Sequence, residues 1–226
     1  MTKLILALDT TNILRAERLI QQVNQYVDMY KIGLEFFVAH GRAGIKLLNA
    51  PIFLDLKFHD IPSTVSNAIR AIAPIYPKMI TLHASGDIKM MREARIAANE
   101  FGINRPKLLA VTILTSLNQS SLNRIGINNT IDNQVIDLAK IALDEGMDGI
   151  VCGSHELKIL REKFGKKPLL VTPGIRPVGV ETNDQVRTMT PRNAMLAGAD
   201  WIVIGRPITQ SFDPCIAARD IIQEIS

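Results

Sequence analysis

The sequence predicts a closed barrel of eight parallel strands, each followed by a helix. Eight short apolar runs recur along the 226 residues and alternate with segments of helical periodicity, which is the pattern of a (β/α)8 barrel. The runs are continuous rather than alternating, as in strands that are buried on both faces. A doubly wound open sheet has the same periodicity, but the chain length and the regular placement of charged residues after the runs favour closure.

The predicted strands are each about four to six residues long, which is the usual strand length. No linker, low-complexity stretch or domain boundary interrupts them, so we expect residues 1–226 to form one catalytic barrel domain. In chain order the predicted strands are Leu4–Leu8, Met29–Ile32, Ile52–Leu56, Met79–Leu82, Leu108–Ile113, Gly149–Cys152, Leu169–Val171 and Trp201–Ile204.

Three of the intervening helices have recognisable ends. The first begins after Asn12, whose side chain can cap it, and continues with apolar residues at helical spacing. Another runs from Asp132 through Glu145 and ends at Gly146. A short helix before the last strand begins at Pro191 and closes at Gly198.

The composition indicates an aliphatic core and a mildly basic surface. Hydrophobic residues make up 47% of the chain and aromatic residues only 5%, which suits a parallel sheet covered by helices. The net charge is +4, but no basic run or interleaved aromatic residues are present, so a nucleic-acid binder is not expected. A small phosphorylated substrate would be enough to use a local positive pocket.

The cysteine count and the N-terminus bear on the compartment. Two cysteines do not make a disulfide framework in a chain of this size, and Cys152 lies in an apolar run that we expect to be buried. A strand begins almost at once, with no signal-peptide pattern, and no apolar stretch reaches about 18 residues. We therefore expect a soluble cytoplasmic protein with reduced thiols and no membrane contact.

Charged side chains follow the ends of the predicted strands. The active sites of (β/α)8 barrels lie at these carboxyl ends, on the loops that lead into the helices. We therefore expect one polar rim around the barrel mouth. Its charged members are Asp9, Lys31, Asp55, Lys57, Asp60, Arg176 and Arg206.

The end of the third predicted strand is the most informative part of this rim. Asp55 and Lys57 are two residues apart, so both side chains point to the same face of the strand. With Leu54 and Leu56 on the opposite face, the charged pair faces the barrel interior near its mouth. Two charges buried there must pair with each other. The pair is either catalytic or a structural ion pair.

Two further features have more than one interpretation. The segment between the seventh strand and the short helix is about 18 residues long, longer than ordinary loops, and is either a functional lid or a long surface loop. It contains Arg176 and Gln185. His59 and His83 lie near the rim, but no carboxylate stands at a metal-ligand spacing from them, which favours structural histidines and predicts no metal site.

The segment Asp55-Leu56-Lys57-Phe58-His59-Asp60-Ile61-Pro62-Ser63-Thr64-Val65 closely resembles the signature of the orotidine 5′-phosphate decarboxylases. The resemblance extends from Leu6-Ala7-Leu8-Asp9 through Val111-Thr112-Ile113-Leu114-Thr115-Ser116 to Gly205-Arg206-Pro207-Ile208, each at the expected strand end. It implies a cofactor-free enzyme that converts orotidine monophosphate to uridine monophosphate and carbon dioxide, the last step of de novo pyrimidine synthesis.

The resemblance also implies roles for the charged pair and its neighbours. Lys57 would deliver a proton to C6 of the pyrimidine as carbon dioxide leaves. Asp55 would lie near the substrate carboxylate. Lys31 and Asp60 would complete an alternating array of charges with them, and Asp9 and Lys31 would hydrogen-bond the ribose hydroxyls.

The remaining substrate contacts are implied in the same way. Thr115 would contact the pyrimidine edge. Gly205 and Arg206 follow the eighth strand, where barrels often bind phosphate, and Arg176 and Gln185 would act from the long segment.

Part of each site is implied to come from a second subunit. In proteins of the resembled family, the counterparts of Asp60 and Thr64 reach into the neighbouring active site, and Ile61 between them is expected to contact substrate as well. The resemblance therefore implies a homodimer with two shared sites.

Two alternatives remain open from the sequence. A sugar-phosphate enzyme such as a hexulose-phosphate synthase shares the Asp-x-Lys-x-x-Asp core but uses magnesium, and its motif differs where this chain has Ile61-Pro62-Ser63-Thr64. A non-catalytic phosphate- or nucleotide-binding barrel would need Arg206 but not the buried pair of Asp55 and Lys57.

Overall fold

The computed structural model describes residues 1–177 and 188–226. All neighbouring strands are parallel and follow one another in chain order, and the first strand pairs with the eighth to close the barrel. The closed (β/α)8 architecture predicted from the sequence is confirmed, and the open-sheet alternative is excluded.

The strands agree with the prediction to within one or two residues at each end. The largest differences are at the C-terminal ends of the third and fifth strands. The third continues two residues beyond Leu56, because a bulge described below keeps its end in the sheet, and the fifth ends at Val111, two residues before Ile113. The strands are β1 (Lys3–Ala7), β2 (Met29–Ile32), β3 (Ile52–Phe58), β4 (Met79–His83), β5 (Lys107–Val111), β6 (Gly149–Val151), β7 (Leu169–Thr172) and β8 (Trp201–Ile204).

Helices cover the outside of the barrel, and within the described residues none is long and apolar enough to cross a membrane. α2 is bent at Gly41, whose φ of 56° lies in the left-handed region. The helices are α1 (Ile13–Val23), α2 (Leu34–Leu47), α3 (Pro62–Ile72), α4 (Asp87–Asn99), α5 (Gln119–Arg124), α6 (Ile131–Asp144), α7 (Leu157–Phe164), α8 (Pro191–Leu196), α9 (Arg206–Thr209) and α10 (Pro214–Glu224).

The helix ends follow their local sequence. The Asn12 side chain accepts a hydrogen bond from the backbone N–H of Arg15 and caps α1, as predicted. Thr130 caps α6 in the same way, and the helix begins at Ile131, one residue before the predicted start. Proline at the first position of α3 and α8 loses no helical hydrogen bond, since that N–H has no acceptor within the helix.

Two apolar layers result from the alternation along each strand. Inward-facing side chains such as Ile5, Phe53 and Val203 pack together inside the barrel. Outward-facing residues such as Leu54 and Ile80 join the larger cluster between strands and helices. Burial on both faces explains why the strand sequences are continuously apolar.

Three aspartates fix the N-terminal end of the barrel; we call Asp28, Asp148 and Asp200 the strand-entry aspartates. Each directly precedes a strand, β2, β6 or β8. Each donates its backbone N–H to the carbonyl of one residue on the preceding strand and accepts that residue's N–H on its carboxylate, with carboxylate distances of 2.8–3.0 Å. The residues so held are Leu4, Leu108 and Leu170.

Candidate active site

A cavity of about 270 Å³ opens at the C-terminal end of the barrel. Most of the predicted site residues line it, which confirms the position of the polar rim but not the role of any residue. The predicted residues that line it are Asp9, Lys31, Asp55, Lys57, Thr115, Arg176, Gly205 and Arg206.

Alternating charges cross one side of this cavity. Lys31 Nζ lies 3.2 Å from Asp9 Oδ1 and 3.6 Å from Asp55 Oδ2. Lys57 Nζ donates to both carboxylate oxygens of Asp55, at 2.8 and 2.9 Å. Asp55 is the most deeply buried of the four, with 7% of its surface exposed. It is therefore held between two cations, as a buried carboxylate requires.

The local backbone of β3 produces this geometry. Leu54 pairs with Ile80, but the next aligned pair is Phe58 with Leu82, so four steps on β3 oppose two on β4. Lys57 lies in this bulge with a φ of 52°, in the left-handed region that residues with a Cβ rarely adopt. Such a conformation is characteristic of functional sites. The predicted same-face placement of Asp55 and Lys57 is thus confirmed, although the strand between them is irregular.

Space for the ion pairs is provided by a glycine. A Cβ at Gly33 would lie 3.2 Å from both Asp9 Oδ1 and Lys31 Nζ. A larger residue would therefore crowd the first contact of the array. This explains sterically why a glycine is present at position 33.

The electrostatic environment keeps Asp55 ionised. Burial by itself would raise the pKa of the carboxyl group, but the ammonium groups of Lys31 and Lys57 and the hydrogen bonds from Lys57 and Thr81 outweigh it. The net effect lowers the pKa of Asp55 below its ordinary value. A fixed anion thus lies next to the cation of Lys57 at the cavity wall.

The expected fourth member of the array, Asp60, lies elsewhere in this chain. Within the described residues, Asp60, Ile61 and Thr64 are exposed and are not among the residues that line the cavity. The Asp60 carboxylate accepts the N–H of Ile61 at 2.7 Å, at the start of α3. Asp9, rather than Asp60, completes the alternation with Lys31, Asp55 and Lys57 inside a single chain.

The opposite side of the cavity carries arginines and backbone groups suited to an anion. Gly205 and Arg206 stand at the start of α9, where β8 ends. Arg176 is buried, and its Nη1 donates to the carbonyl of Ile175 at 2.9 Å. Its backbone N–H donates to the carbonyl of Met189, which joins the two described ends of the long segment. Gln185 and the rest of residues 178–187 lie outside the described residues.

An apolar wall lines part of the same cavity. It consists mainly of valines at the C-terminal ends of the strands and of residues just after β5; the predicted pyrimidine contact, Thr115, follows them. Cys152 is buried as expected and also lies at this wall. The lining apolar side chains are Phe53, Val111, Ile113, Leu114, Val151 and Val203.

His59 and His83 lie against each other beside the rim, with ring centroids 5.2 Å apart. Burial, together with the charges of His59 and Lys57, lowers the pKa of His83, which disfavours its protonated form. In the described ranges, no three His, Cys, Asp or Glu side chains are grouped closely enough to hold a metal ion.

Comparisons with known proteins give a consistent result over nearly the whole chain. A sequence model of the orotidine 5′-phosphate decarboxylase / HUMPS family matches residues 2–221. The orotidine 5′-phosphate decarboxylase of Gluconobacter oxydans (strain 621H) is 48% identical over 230 residues, covering 100% of this chain and 98% of the relative. That of Rhodospirillum rubrum is 46% identical over 227 residues, covering 97% and 92%.

A solved structure agrees with the sequence comparisons. The crystal structure of orotidine 5′-phosphate decarboxylase from Lactobacillus acidophilus superposes with a TM-score of 0.88 at 36% identity, and the match covers 100% of both chains. The similarity therefore extends over the barrel as a whole, including the strands that carry the charged array.

Proposed function

The chain belongs to the orotidine 5′-phosphate decarboxylase / HUMPS family, and on that premise we propose that it decarboxylates orotidine 5′-phosphate to uridine 5′-phosphate and carbon dioxide. This reaction would complete pyrimidine nucleotide synthesis in the cytoplasm. In this proposal residues 1–226 form one catalytic barrel domain. The observation that carries it is the ion pair between the buried Asp55 and the half-buried Lys57, both of which line the cavity.

The proposed chemistry places Lys57 at the reacting carbon. When the bond between C6 and the carboxylate breaks, its electron pair stays on C6 and carbon dioxide leaves. The ammonium group of Lys57 stabilises this charge and then transfers a proton to C6, giving the C6–H bond of the product. Solvent afterwards restores the proton on the amine. Side chains alone supply the charge in this scheme, so no cofactor takes part.

Asp55 has two roles in the proposal. Its carboxylate holds the Lys57 ammonium group through two hydrogen bonds, so the proton donor is oriented before substrate arrives. It also places a negative charge near the substrate carboxylate, and this repulsion ends when carbon dioxide departs. The lowered pKa of Asp55 supports both roles, because they need the ionised form.

The rest of the cavity is assigned to the other parts of the nucleotide. Asp9 and Lys31, at the more exposed end of the array, would bind the ribose hydroxyls, and Thr115 the pyrimidine edge. Arg206 and the backbone of Gly205 would bind the phosphate, since guanidinium and backbone N–H groups donate hydrogen bonds to phosphate oxygens. Arg176 and Gln185 would assist from the long segment acting as a lid.

We also propose that two chains share each site. Asp60, Ile61 and Thr64 are exposed, and Ile61 leaves 64% of its surface in contact with solvent. This segment leads from the C-terminal end of β3 into α3, which begins at Pro62, so it lies at the same end of the barrel as the cavity. A symmetric dimer would bring the segment of each chain to the mouth of the other, where Asp60 extends the array of charges.

The function is tested by incubating the purified protein with orotidine 5′-phosphate in EDTA and following the absorbance change of the pyrimidine. We expect full turnover without added metal, and much slower turnover of the nucleoside orotidine, which lacks the phosphate that Arg206 would bind. No decarboxylation of the nucleotide would refute the proposal. Turnover lost on chelation and restored by Mg²⁺ would favour the sugar-phosphate alternative instead.

A further inference from the structure

A buried threonine lies directly beneath the charged array. Thr81 is in β4, has 0% of its surface exposed and, among the described residues, is not one of those that line the cavity. Its Oγ1 accepts a hydrogen bond from the backbone N–H of Lys57 at 2.9 Å and donates one to Asp55 Oδ1, also at 2.9 Å. One hydroxyl therefore contacts both members of the pair.

The chemistry of these groups fixes the direction of both hydrogen bonds. The backbone N–H of Lys57 can only donate, and an ionised carboxylate such as that of Asp55 can only accept. The hydroxyl proton of Thr81 must therefore point to Asp55. In this arrangement the hydroxyl uses its single proton and an acceptor lone pair, which makes the position specific for a hydroxyl rather than for a group of similar size.

The bulge explains why this hydroxyl is needed. Because the pairing jumps from Leu54 and Ile80 to Phe58 and Leu82, the aligned positions leave the backbone of Lys57 outside the regular ladder. Thr81 provides the acceptor that the ladder does not. It does so for a residue whose left-handed φ of 52° is disfavoured and must be held by its surroundings.

We propose that Thr81 is a positioning residue for the proposed decarboxylation: its hydroxyl locks the left-handed backbone of Lys57 and the carboxylate of Asp55 in the one arrangement that aims the ammonium group into the cavity. The inference rests on the proposed function for its catalytic part. Its structural part, the hold on the Lys57 backbone, stands on the two hydrogen bonds alone.

The position of Thr81 predicts which kinetic constant changes. Since the side chain is fully buried beneath the array, its loss should leave nucleotide binding nearly unchanged and misplace the proton donor. We expect kcat to fall by roughly 10- to 100-fold, the equivalent of one hydrogen bond to a charged group, while KM changes by less than about threefold.

The test compares Thr81→Val, Thr81→Ser and Thr81→Ala by steady-state kinetics and by hydrogen exchange of the Lys57 amide in NMR spectra. Valine keeps the shape of threonine but has no hydroxyl. Serine and alanine differ from each other only by the hydroxyl, so they decide the matter even if the valine variant does not fold. We expect Val and Ala to lower kcat and the protection of the Lys57 amide, and Ser to retain most of both.

Thr2→Val is the matched control for the loss of a buried hydroxyl. Thr2 is 7% exposed and donates to the carbonyl of Ala199 at 2.8 Å, before β1 at the opposite end of the barrel. This variant should lose stability without changing kcat or the protection of the Lys57 amide. If the role of Thr81 were purely structural, the Thr81 variants would behave like this control.

The outcomes separate the two proposals. If alanine matches serine in kcat within about twofold, or if the Lys57 amide stays protected in the alanine variant, the positioning role of Thr81 is wrong. If the wild-type chain does not decarboxylate the nucleotide, the proposed function fails, and amide exchange still decides whether Thr81 holds the backbone of Lys57.

Discussion

Both ends of the barrel carry aspartates whose carboxylates are held by hydrogen bonds, but the donors of these hydrogen bonds differ between the two ends. At the N-terminal end, each strand-entry aspartate accepts a backbone N–H from the neighbouring strand, and Asp148 and Asp200 also pair with Arg105 and Arg161. At the C-terminal end, the hydrogen bonds to the carboxylate of Asp55 come only from side chains in the described structure.

This difference indicates what each end is for. A carboxylate that clamps backbone groups fixes strand register, and the cation that neutralises it is fully used within the fold. The cations around Asp55 face a cavity, where they remain available to a ligand. In (β/α)8 barrels the residues of the N-terminal end usually serve stability and those of the C-terminal end serve catalysis. Substitutions at each end can test this division here.

The largest effect is expected from Lys57→Ala at the C-terminal end. It removes both the proton donor and the cation beside C6, so kcat should fall by at least about a thousandfold, equivalent to ~4 kcal/mol, while the protein remains folded. Steady-state kinetics and circular dichroism at the same temperature give the two quantities. A loss of less than about tenfold would mean that another residue is the proton donor.

Lys107→Ala is the matched control at the N-terminal end. Lys107 also lies on a strand and pairs with an aspartate, with 3.3 Å between Nζ and Asp148 Oδ1. Because this pair does not line the cavity, the kcat of the Lys107→Ala variant should equal that of the wild type. An equal loss of activity in both variants would abolish the distinction between the two ends.

A second prediction asks whether the C-terminal end is complete within one chain. Lys57→Ala and Asp60→Ala variants, each expected to be inactive alone, are mixed under conditions that allow subunits to exchange. In the shared-site model each heterodimer has one doubly defective site and one intact site. A random 1:2:1 mixture of dimers should therefore regain about a quarter of wild-type activity.

The negative control for the recovery of activity mixes Lys57→Ala with Asp55→Asn. Both residues line the cavity of their own chain, so every site of a heterodimer carries one defect and activity should not return. If the mixture with Asp60→Ala also stays inactive although subunits exchange, Asp60 serves its own barrel and the shared-site proposal is wrong.

The sequence was sufficient for the parts of this structure that depend on local patterns. Continuous apolar runs predicted the strands, and the two-residue spacing of Asp55 and Lys57 predicted a pair on one face. Two strand starts were predicted one residue late, because Lys3 and Lys107 are polar and exposed yet still take part in the backbone ladder. Polarity does not reveal such residues, since their hydrogen bonds involve only the main chain.

Features that depend on three-dimensional pairing were not predicted. The left-handed backbone of Lys57 results from a bulge between β3 and β4, which no spacing within β3 indicates. The role of Thr81 is not evident from the sequence, because threonine is common in buried strands; what could have indicated it is its inward position, two residues from the inward-facing Met79. Asp60 was placed in the array on the basis of resemblance, and a single chain does not test that placement.

The smallest effect concerns Asp200 at the N-terminal end. Its carboxylate accepts the N–H of Leu170 at 2.8 Å and an Nη2 hydrogen of Arg161 at 2.5 Å. Asp200→Ala removes both hydrogen bonds. Among the described residues, Arg161 then keeps the backbone carbonyls of Gly165, Pro168 and Gly198 as acceptors. We expect the free energy of unfolding to fall by about 2 kcal/mol in urea titrations at 25 °C.

Because Asp200 acts on strand register far from the cavity, kcat of the folded fraction should not change. Asp200→Asn retains an oxygen that can accept the Leu170 N–H, so it should lose less stability than the alanine variant, and the difference between them measures the backbone clamp. Asp220→Ala breaks an exposed pair with Arg219 and should leave the urea midpoint unchanged. A fall in kcat in the Asp200 variants that exceeds the unfolded fraction would show that the N-terminal end also controls the geometry of the array, and the two ends could then no longer be assigned separate roles.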